Sequence, residues 1–331
     1  MRTPNRIIHI LDDFAMGGVT RALKNFEHPD LAKIAAHGVV DIRDGAIRAT
    51  SPQDVAVIHF TANWKKLGWL LDLRLRGGFS RIILIEHSYT QGYENSEVRP
   101  KRRFRQMLRF AYGLVDAVVA VSEAQRAWIL QQKLARPANV VAIPQSRCCS
   151  ELLEMAPSLR DRGPLKIGAF GRFHKQKGFD LLIEAMAQVP PEVAEVKLAG
   201  AGPDEAQLRN LAAGLPNVEI MEAFTSPTAF LGDVDIVAIP SRWEAFGLVG
   251  TEARAAGRPV LAARVDGLID QTDESSFAHE PNDVAGIVAG IYEAASATDL
   301  MQRGREVQAK AAGEYACMIA QWHNLLDGAS A

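Results

Sequence analysis

The sequence predicts an α/β protein of two domains, each built on a parallel sheet. Three observations carry that expectation. A length of 331 residues exceeds what one hydrophobic core usually serves. Short β-branched apolar runs recur without polar alternation, as in Arg81-Ile-Ile-Leu-Ile-Glu86 and Val234-Asp-Ile-Val-Ala-Ile239, which is the pattern of strands buried on both faces. Glycine-rich or polar turns follow several of these runs and lead into helical stretches, the order of an open α/β sheet whose ligands gather at the carboxyl ends of the strands.

Composition narrows the class. Hydrophobic residues make up 48% and charged residues 23% of the chain, as in ordinary globular proteins. No apolar run approaches the ~18 residues of a membrane span. The start, Met1-Arg-Thr-Pro-Asn-Arg-Ile-Ile-His-Ile, carries no signal-peptide pattern. Three cysteines, Cys148, Cys149 and Cys317, give neither a disulfide framework nor metal-ligand spacing. These features lead to the expectation of a cytoplasmic protein. The net charge of −2 conceals an asymmetry: residues 1–163 hold 24 Lys+Arg against 16 Asp+Glu, and residues 164–331 hold 13 against 23. Residues 65–109 alone hold 11 cations and 4 anions. A basic first half suits an anionic partner, or is simply a solvated surface.

In chain order, Arg6–Leu11 reads as the first strand. Asp12–Arg21 is a turn containing Gly17-Gly18, and a helix runs to about Phe26. The pair Gly17-Gly18 lets backbone approach a ligand closely, though a plain turn would also use it. Val39–Arg43 and Ala46–Ala49 suggest short strands, and Val55–Phe60 another, with His59 at its end. Arg81–Ser88 is an apolar strand ending in His87. The stretches 65–76 and 99–110 mix cations with apolar residues at helical spacing; the second holds Lys101, Arg102, Arg103 and Arg105 beside Phe104, Met107, Leu108 and Phe110. Such basic amphipathic segments suit the surface of an anionic membrane. No nucleic-acid motif accompanies the charge, and nucleic acid is not expected as a partner. Val115–Ser122 is a strand, Glu123–Leu134 a helix, and Val140–Pro144 closes a first domain over residues 1–150. Residues 151–163 read as a linker.

The second domain, 164–305, opens with the strand Leu165–Phe170. Its turn, Gly171-Arg172-Phe-His-Lys175-Gln-Lys177-Gly178, sets cations between a strand end and the helix Leu181–Gln188, a seat for a diphosphate. The strand beginning at Val196 ends in Gly200-Ala-Gly202-Pro203, where position 205 is Glu, so the dinucleotide fingerprint G-x-G-x-x-G fails. Asn217–Phe224 is another strand. Asp233-Val-Asp235 precedes a buried strand rather than ending one, which argues against a metal. After Ile239 a loop carries Glu244, Ala245, Phe246, Gly247 and Leu248. A helix then runs from about Gly247 to Ala256, stopped by Gly257 and Pro259. Its free amide groups and positive dipole end face the loop, and Glu252 lies one turn in. Tyr315, Met318, Ile319, Trp322, Leu325 and Leu326 place a core-facing C-terminal helix within 306–331.

One string is specific. Pro240-Ser-Arg-Trp-Glu244-Ala-Phe246-Gly247-Leu248, continued by Glu252-Ala-Arg-Ala-Ala-Gly257-Arg-Pro259-Val260, resembles the Glu-x7-Glu signature of retaining family 4 glycosyltransferases. The resemblance implies the GT-B fold, two Rossmann-like domains with parallel sheets facing an interdomain cleft, and a C-terminal helix crossing back to the first domain. It implies a nucleotide-diphosphate sugar as co-substrate, a UDP-sugar before a GDP-sugar, with no cofactor and no metal. Arg172 and Lys177 resemble the family's pyrophosphate clamp beside Gly171, and Gly17-Gly18 its first-strand loop near the donor phosphates. His87 resembles a histidine near the anomeric centre. Glu244 and the amides of Ala245–Leu248 would hold the sugar, Glu252 the ribose, and Phe224 or its neighbours the base. The acceptor implied is a glycolipid, a lipid-linked oligosaccharide or a lipopolysaccharide-type glycan, met in the basic first domain, with peripheral attachment to the cytoplasmic face of the inner membrane. Two departures stand out. Gln145-Ser146-Arg147 stands where the family often has Asn-Gly, and Asp266 and Asp270 replace its usual Gly and Glu.

The same residues admit other readings. A glycosidase using Glu244 and Glu252 leaves Arg172 and Lys177 without a purpose. A nicotinamide dehydrogenase lacks its fingerprint. A catalytically degenerate sugar-nucleotide-binding or scaffold protein would keep the fold without turnover.

Overall fold

The computed structural model describes residues 4–12, 14, 22–157, 163–222, 224 and 226–327. Gly17 and Gly18 lie outside the described residues. The chain divides into two units, one of residues up to Arg147 together with those from Tyr315 onwards, the other Cys148–Glu314.

The first unit is a six-stranded sheet in the order β2-β1-β3-β4-β5-β6, every pair parallel. Its strands are β1 (Arg6–Leu11), β2 (Ala36–Asp41), β3 (Val55–Ile58), β4 (Arg81–Glu86), β5 (Ala117–Ala120) and β6 (Val140–Ala142). The helices are α1 (Leu67–Arg76), α2 (Gln91–Glu97), α3 (Lys101–Gly113) and α4 (Glu123–Gln131). β3 and β5 are buried along their whole length, because helices cover the sheet. The two short strands expected over Val39–Arg43 and Ala46–Ala49 are not formed as such. β2 starts earlier, at Ala36, and ends at Asp41, whose carboxylate accepts the Arg43 amide (2.8 Å) and turns the chain into a helical turn, Ile42–Asp44. The sequence hides β2 because it is an edge strand carrying no fully buried residue, so its apolar pattern is weak.

The second unit repeats the plan in the order β12-β11-β10-β7-β8-β9, again all parallel. It comprises β7 (Leu165–Arg172), α5 (Phe179–Met186), β8 (Ala194–Ala201), α6 (Glu205–Ala212), β9 (Val218–Met221), α7 (Pro227–Gly232), β10 (Ile236–Ile239), α8 (Leu248–Ala255), β11 (Val260–Ala263), β12 (Phe277–His279), α9 (Val284–Ser296) and α10 (Leu300–Ala311). Leu165, Ile167, Leu182, Ile236 and Ile287 have no exposed surface and form the centre of one core layer. Strand order reverses between β7 and β10, which places the loops after these two strands at the switch point where open α/β sheets bind ligands.

Two connections differ from expectation. The linker expected over 151–163 begins as ordered structure of the second unit: Ser150–Leu153 form a helical turn with Leu152 buried, and Gln308 Nε2 donates to the carbonyl of Met155 (2.9 Å). The C-terminal stretch from 306 is not one helix. It is the end of α10, which packs on α8, and then α11 (Glu314–Asp327), the two separated at Ala312-Gly313. Within the first unit, α11 sets Trp322 against Phe26 (ring centroids 5.0 Å apart) and accepts a hydrogen bond from Arg81 at the Leu325 carbonyl (2.6 Å).

Candidate functional site

The strongest assembly lies in the second unit, where the loop after β7 (173–178) meets the loop after β10 (240–247). Each loop is short and polar, and each is fixed by the other. The Arg242 amide donates to the Gln176 carbonyl (2.7 Å), and Gln176 Nε2 donates back to the Trp243 carbonyl (3.1 Å). The Arg242 guanidinium clasps the Asp180 carboxylate with two bonds of 2.8 Å and also donates to the Lys175 carbonyl (2.9 Å). This pairing holds the Asp180 carboxyl below the usual carboxylate range, against the opposing effect of its burial. Gly178 has φ 66°, and a Cβ there would lie 2.1 Å from the Pro240 carbonyl oxygen. Only glycine permits that approach.

On this platform the Lys177 ammonium is paired with the Glu244 carboxylate, which also accepts from Ser241 Oγ (3.4 Å). The side chains of the pair are 18% and 11% exposed, so the two charges sit largely out of water and depend on each other. Gly171 lies alongside: a Cβ on it would contact Lys177 Cε at 3.8 Å. Arg172, the last residue of β7, is exposed, and its guanidinium makes no hydrogen bond or ion pair among the described residues. Lys177 and Glu244, proposed from separate motifs, are therefore brought into contact.

Gly247 caps α8 with φ 91°; a Cβ there would meet Leu268 Cδ2 at 2.8 Å and Glu244 Cγ at 3.0 Å. The turn leaves the amides of Ala245, Phe246, Gly247 and Leu248 without a protein acceptor among the described residues, at the positive end of the helix. Ala245, Phe246 and Glu244 are buried, and Glu252, one turn into α8, is 4% exposed. Two side chains that sequence reasoning did not assign hold this loop. Asp266 accepts the Glu244 amide (3.2 Å) while adopting φ 45°, a left-handed position that aspartate tolerates better than most residues. Gln271 Nε2 donates to the carbonyls of Phe246 and Gly247, the latter at 3.1 Å. The signal for Asp266 was visible: it replaces the family's glycine, and the left-handed φ is the reason glycine suits that place.

The remaining residues separate. Phe224 is stacked on Phe230 (4.5 Å, 13° between planes) and meets Phe170 edge-on (5.2 Å), so one face of its ring belongs to the core. Asp233 is paired with Lys197 and Lys166, and Asp235 accepts the Lys166 amide (2.9 Å), so both serve the start of β10.

In the first unit, His87 follows β4 at the carboxyl end of the sheet. Burial lowers its pKa to about 4, so it is neutral near pH 7. The ring of His59 lies parallel to it (5.7 Å, 15°), and Gln145 Nε2 donates to Nδ1 (2.9 Å). Of the basic patch, Arg102 and Arg103 are exposed, and the Arg103 guanidinium lies over Trp64 (5.3 Å). Lys101 donates to Asn95. Arg105 is turned onto the buried Glu94 (Nη2 to Oε2, 2.8 Å) and neutralises it. Trp64, Leu75 and Phe110 are 51%, 72% and 49% exposed. No described helix is long and apolar enough to cross a membrane.

Residues 164–296 match the family described as Glycosyl transferases group 1. The chain is 29% identical over 244 residues to a D-inositol 3-phosphate glycosyltransferase of Corynebacterium aurimucosum, covering 65% of this chain and 57% of that protein. It thus spans little over half the length of that relative. Among solved structures it is similar to Anabaena HepE in complex with UDP, with TM-score 0.77, 18% identity, and 98% and 100% of the two chains covered. It is also similar to the lipopolysaccharide outer core galactosyltransferase WaaB, with TM-score 0.73, 12% identity, and 98% and 99% covered. The two six-stranded parallel sheets are those of the GT-B fold.

Proposed function

We propose that the protein is a retaining, metal-independent glycosyltransferase that moves a hexose-type sugar from a nucleotide-diphosphate sugar to a glycolipid, lipid-linked oligosaccharide or lipopolysaccharide-type acceptor. The observation that carries the reading is the loop pair at the β7–β10 switch point. It joins the Lys177–Glu244 pair to a turn whose four amides have no protein acceptor among the described residues, and Arg172, at the end of β7, makes no ion pair among them. Cleavage of the anomeric C–O bond leaves negative charge on the departing diphosphate. Arg172, the remaining donors of Lys177 and the amino end of α8 supply fixed positive charge there. Glu244, held by Lys177 and seated between Asp266 and Ser241, has a second carboxylate oxygen to accept from a sugar hydroxyl. Glu252 would take the ribose. A UDP-sugar is favoured over a GDP-sugar because HepE is similar to this chain and its structure holds UDP.

The acceptor is proposed to approach the basic first unit, with Arg102, Arg103, Lys101 and the exposed Trp64 and Phe110 resting on an anionic inner-membrane surface. Incubation with a panel of UDP-, GDP- and ADP-sugars and membrane extract tests the reading. Transfer from one donor with the anomeric configuration kept supports it. Inversion of configuration contradicts the retaining assignment, and donor binding without turnover supports a degenerate binding protein instead.

A further inference from the structure

Four histidines cross the first sheet from its edge to its carboxyl end. His37 lies on β2, His9 on β1, His59 just after β3 and His87 just after β4. Three of them form a hydrogen-bonded chain whose direction is set at one end. The Leu31 carbonyl can only accept, so His37 Nε2 donates to it (3.3 Å). His37 Nδ1 must then accept from His9 Nε2 (2.9 Å), and His9 Nδ1 from His59 Nε2 (2.9 Å). The proton on each ring is thereby assigned, and His59 Nδ1 is left as a buried acceptor with no partner among the described residues. His87 stands outside this chain. Its ring stacks on His59 rather than bonding to it, and its Nε2 is buried with no partner among the described residues. Among the described residues one group sets its protonation pattern, the Gln145 side-chain amide, whose Nε2 can only donate and does so to Nδ1 (2.9 Å). Gln145 is itself held at the carboxyl end of the sheet by its amide, which donates to the Val121 carbonyl (3.2 Å).

We propose that Gln145 is a positioning residue for the transfer reaction: it locks His87 as the neutral tautomer with the proton on Nε2 and so presents a fixed N–H donor to a substrate oxygen. This rests on the reading of His87 as a substrate contact. The side chain is this sequence's own choice at a position where the resembling family often carries Asn-Gly. The titratable groups beside His87 are His59, whose Nε2–H is committed to His9, and Glu86, whose carboxylate accepts the amides of Ser88 and Tyr89 (2.9 Å each) and the Tyr112 hydroxyl (2.7 Å). Neither competes with Gln145 for Nδ1.

The test pairs ring-nitrogen NMR of 15N-histidine-labelled protein with kinetics of two variants. In the wild type, His87 (assigned by its loss in His87→Gln) shows the Nε2–H tautomer near pH 7. Gln145→Leu, which removes the donor without adding charge, gives a mixture of tautomers and lowers kcat about three- to tenfold, with little change in the donor KM. Gln145→Glu reverses the preference. The carboxylate draws the proton to Nδ1, the neutral ring turns a lone pair to the substrate, and Nε2–H returns only when the ring is protonated. Transfer by this variant therefore rises as pH falls through the His87 titration seen by NMR, while the wild type shows no such rise. A purely structural role would not invert a pH profile. An Nδ1–H tautomer in the wild type, or a Gln145→Glu profile like that of the wild type, overturns the proposal. If no donor is ever turned over, the functional reading fails separately, and the tautomer measured by NMR still decides whether Gln145 sets the state of His87.

Discussion

Arg172 and Lys177 reach the same proposed diphosphate from different environments, and replacing them should have different consequences. Arg172 is exposed and makes no ion pair among the described residues, so Arg172→Ala leaves the melting temperature unchanged and removes only transition-state stabilisation, a loss of about 10²–10³-fold in kcat. Lys177 is the partner of a largely buried carboxylate. Lys177→Ala strands Glu244 and costs about 3 kcal/mol of stability in the second unit as well as activity. Thermal unfolding beside steady-state kinetics separates the two; equal melting temperatures for both variants would contradict the ion pair's role. These residues were legible in the sequence because the clamp and the Glu-x7-Glu string are local patterns. Arg242 and Gln271 were not, since each acts on backbone or side chains remote in sequence: Arg242 reaches back to Asp180, and Gln271 to the carbonyl of Gly247. Arg105 was legible only as a cation; its bond to Glu94 removes it from any surface patch.

At the level of elements, the two loops at the switch point behave as one piece because backbone, side chain and charge all cross between them. Gly178→Ala forces both a left-handed φ and contact with the Pro240 carbonyl, so it should separate the loops at a cost of about 1–3 kcal/mol or more and weaken nucleotide binding together with stability. Calorimetric unfolding and donor titration of that variant check both effects. A second prediction concerns β1 to β4. Burial lowers the pKa of His9 to about 3 and of His87 to about 4, and holds His59 well below its ordinary value, with His9 and His87 adding to the shift. A histidine whose folded-state pKa lies below the unfolded value of about 6.5 leaves stability intact above that pH. It erodes stability as pH falls towards the folded value, by about 1.4 kcal/mol per pH unit for each ring. Hydrogen exchange of the β1 and β3 amides should therefore show opening free energies that drop steeply between pH 6.5 and 4.5. Strands β7 and β10 provide the reference, and equal slopes in both sheets would be contrary to the account. The histidine chain could not be read from the sequence, because alignment of four single residues depends on strand order and register. Most strands could be read, since burial on both faces leaves unbroken apolar runs; edge strand β2, half solvated, left no such run.

Across the whole molecule, the uneven charge distribution and the two-sheet plan suit the proposed division of labour, in which the second unit takes the donor and the first meets the acceptor. The cations of the first unit are not equivalent. Lys66, Arg74, Arg76 and Arg105 are each paired with a carboxylate, whereas Arg102 and Arg103 are exposed and make no ion pair among the described residues, Arg103 lying over the exposed Trp64. Replacing Arg102 and Arg103 by Gln should lower binding to phosphatidylserine-containing vesicles by about 1 kcal/mol per charge and leave binding to neutral vesicles unaffected; sedimentation at two salt concentrations measures it, and unchanged binding would remove the membrane from the account. The division into two α/β sheets was evident from length and recurring strands. The division of the C-terminal stretch into α10 and α11 was not, because both halves keep helical spacing and only Ala312-Gly313 marks the break. The most direct test of the central claim is isothermal titration of UDP into the wild-type protein and into Arg172→Ala. The account predicts saturable binding to the wild type and affinity at least tenfold weaker in the variant, whose fold is intact. Equal affinity in both, or no binding of UDP, GDP or ADP by the wild type, would contradict it.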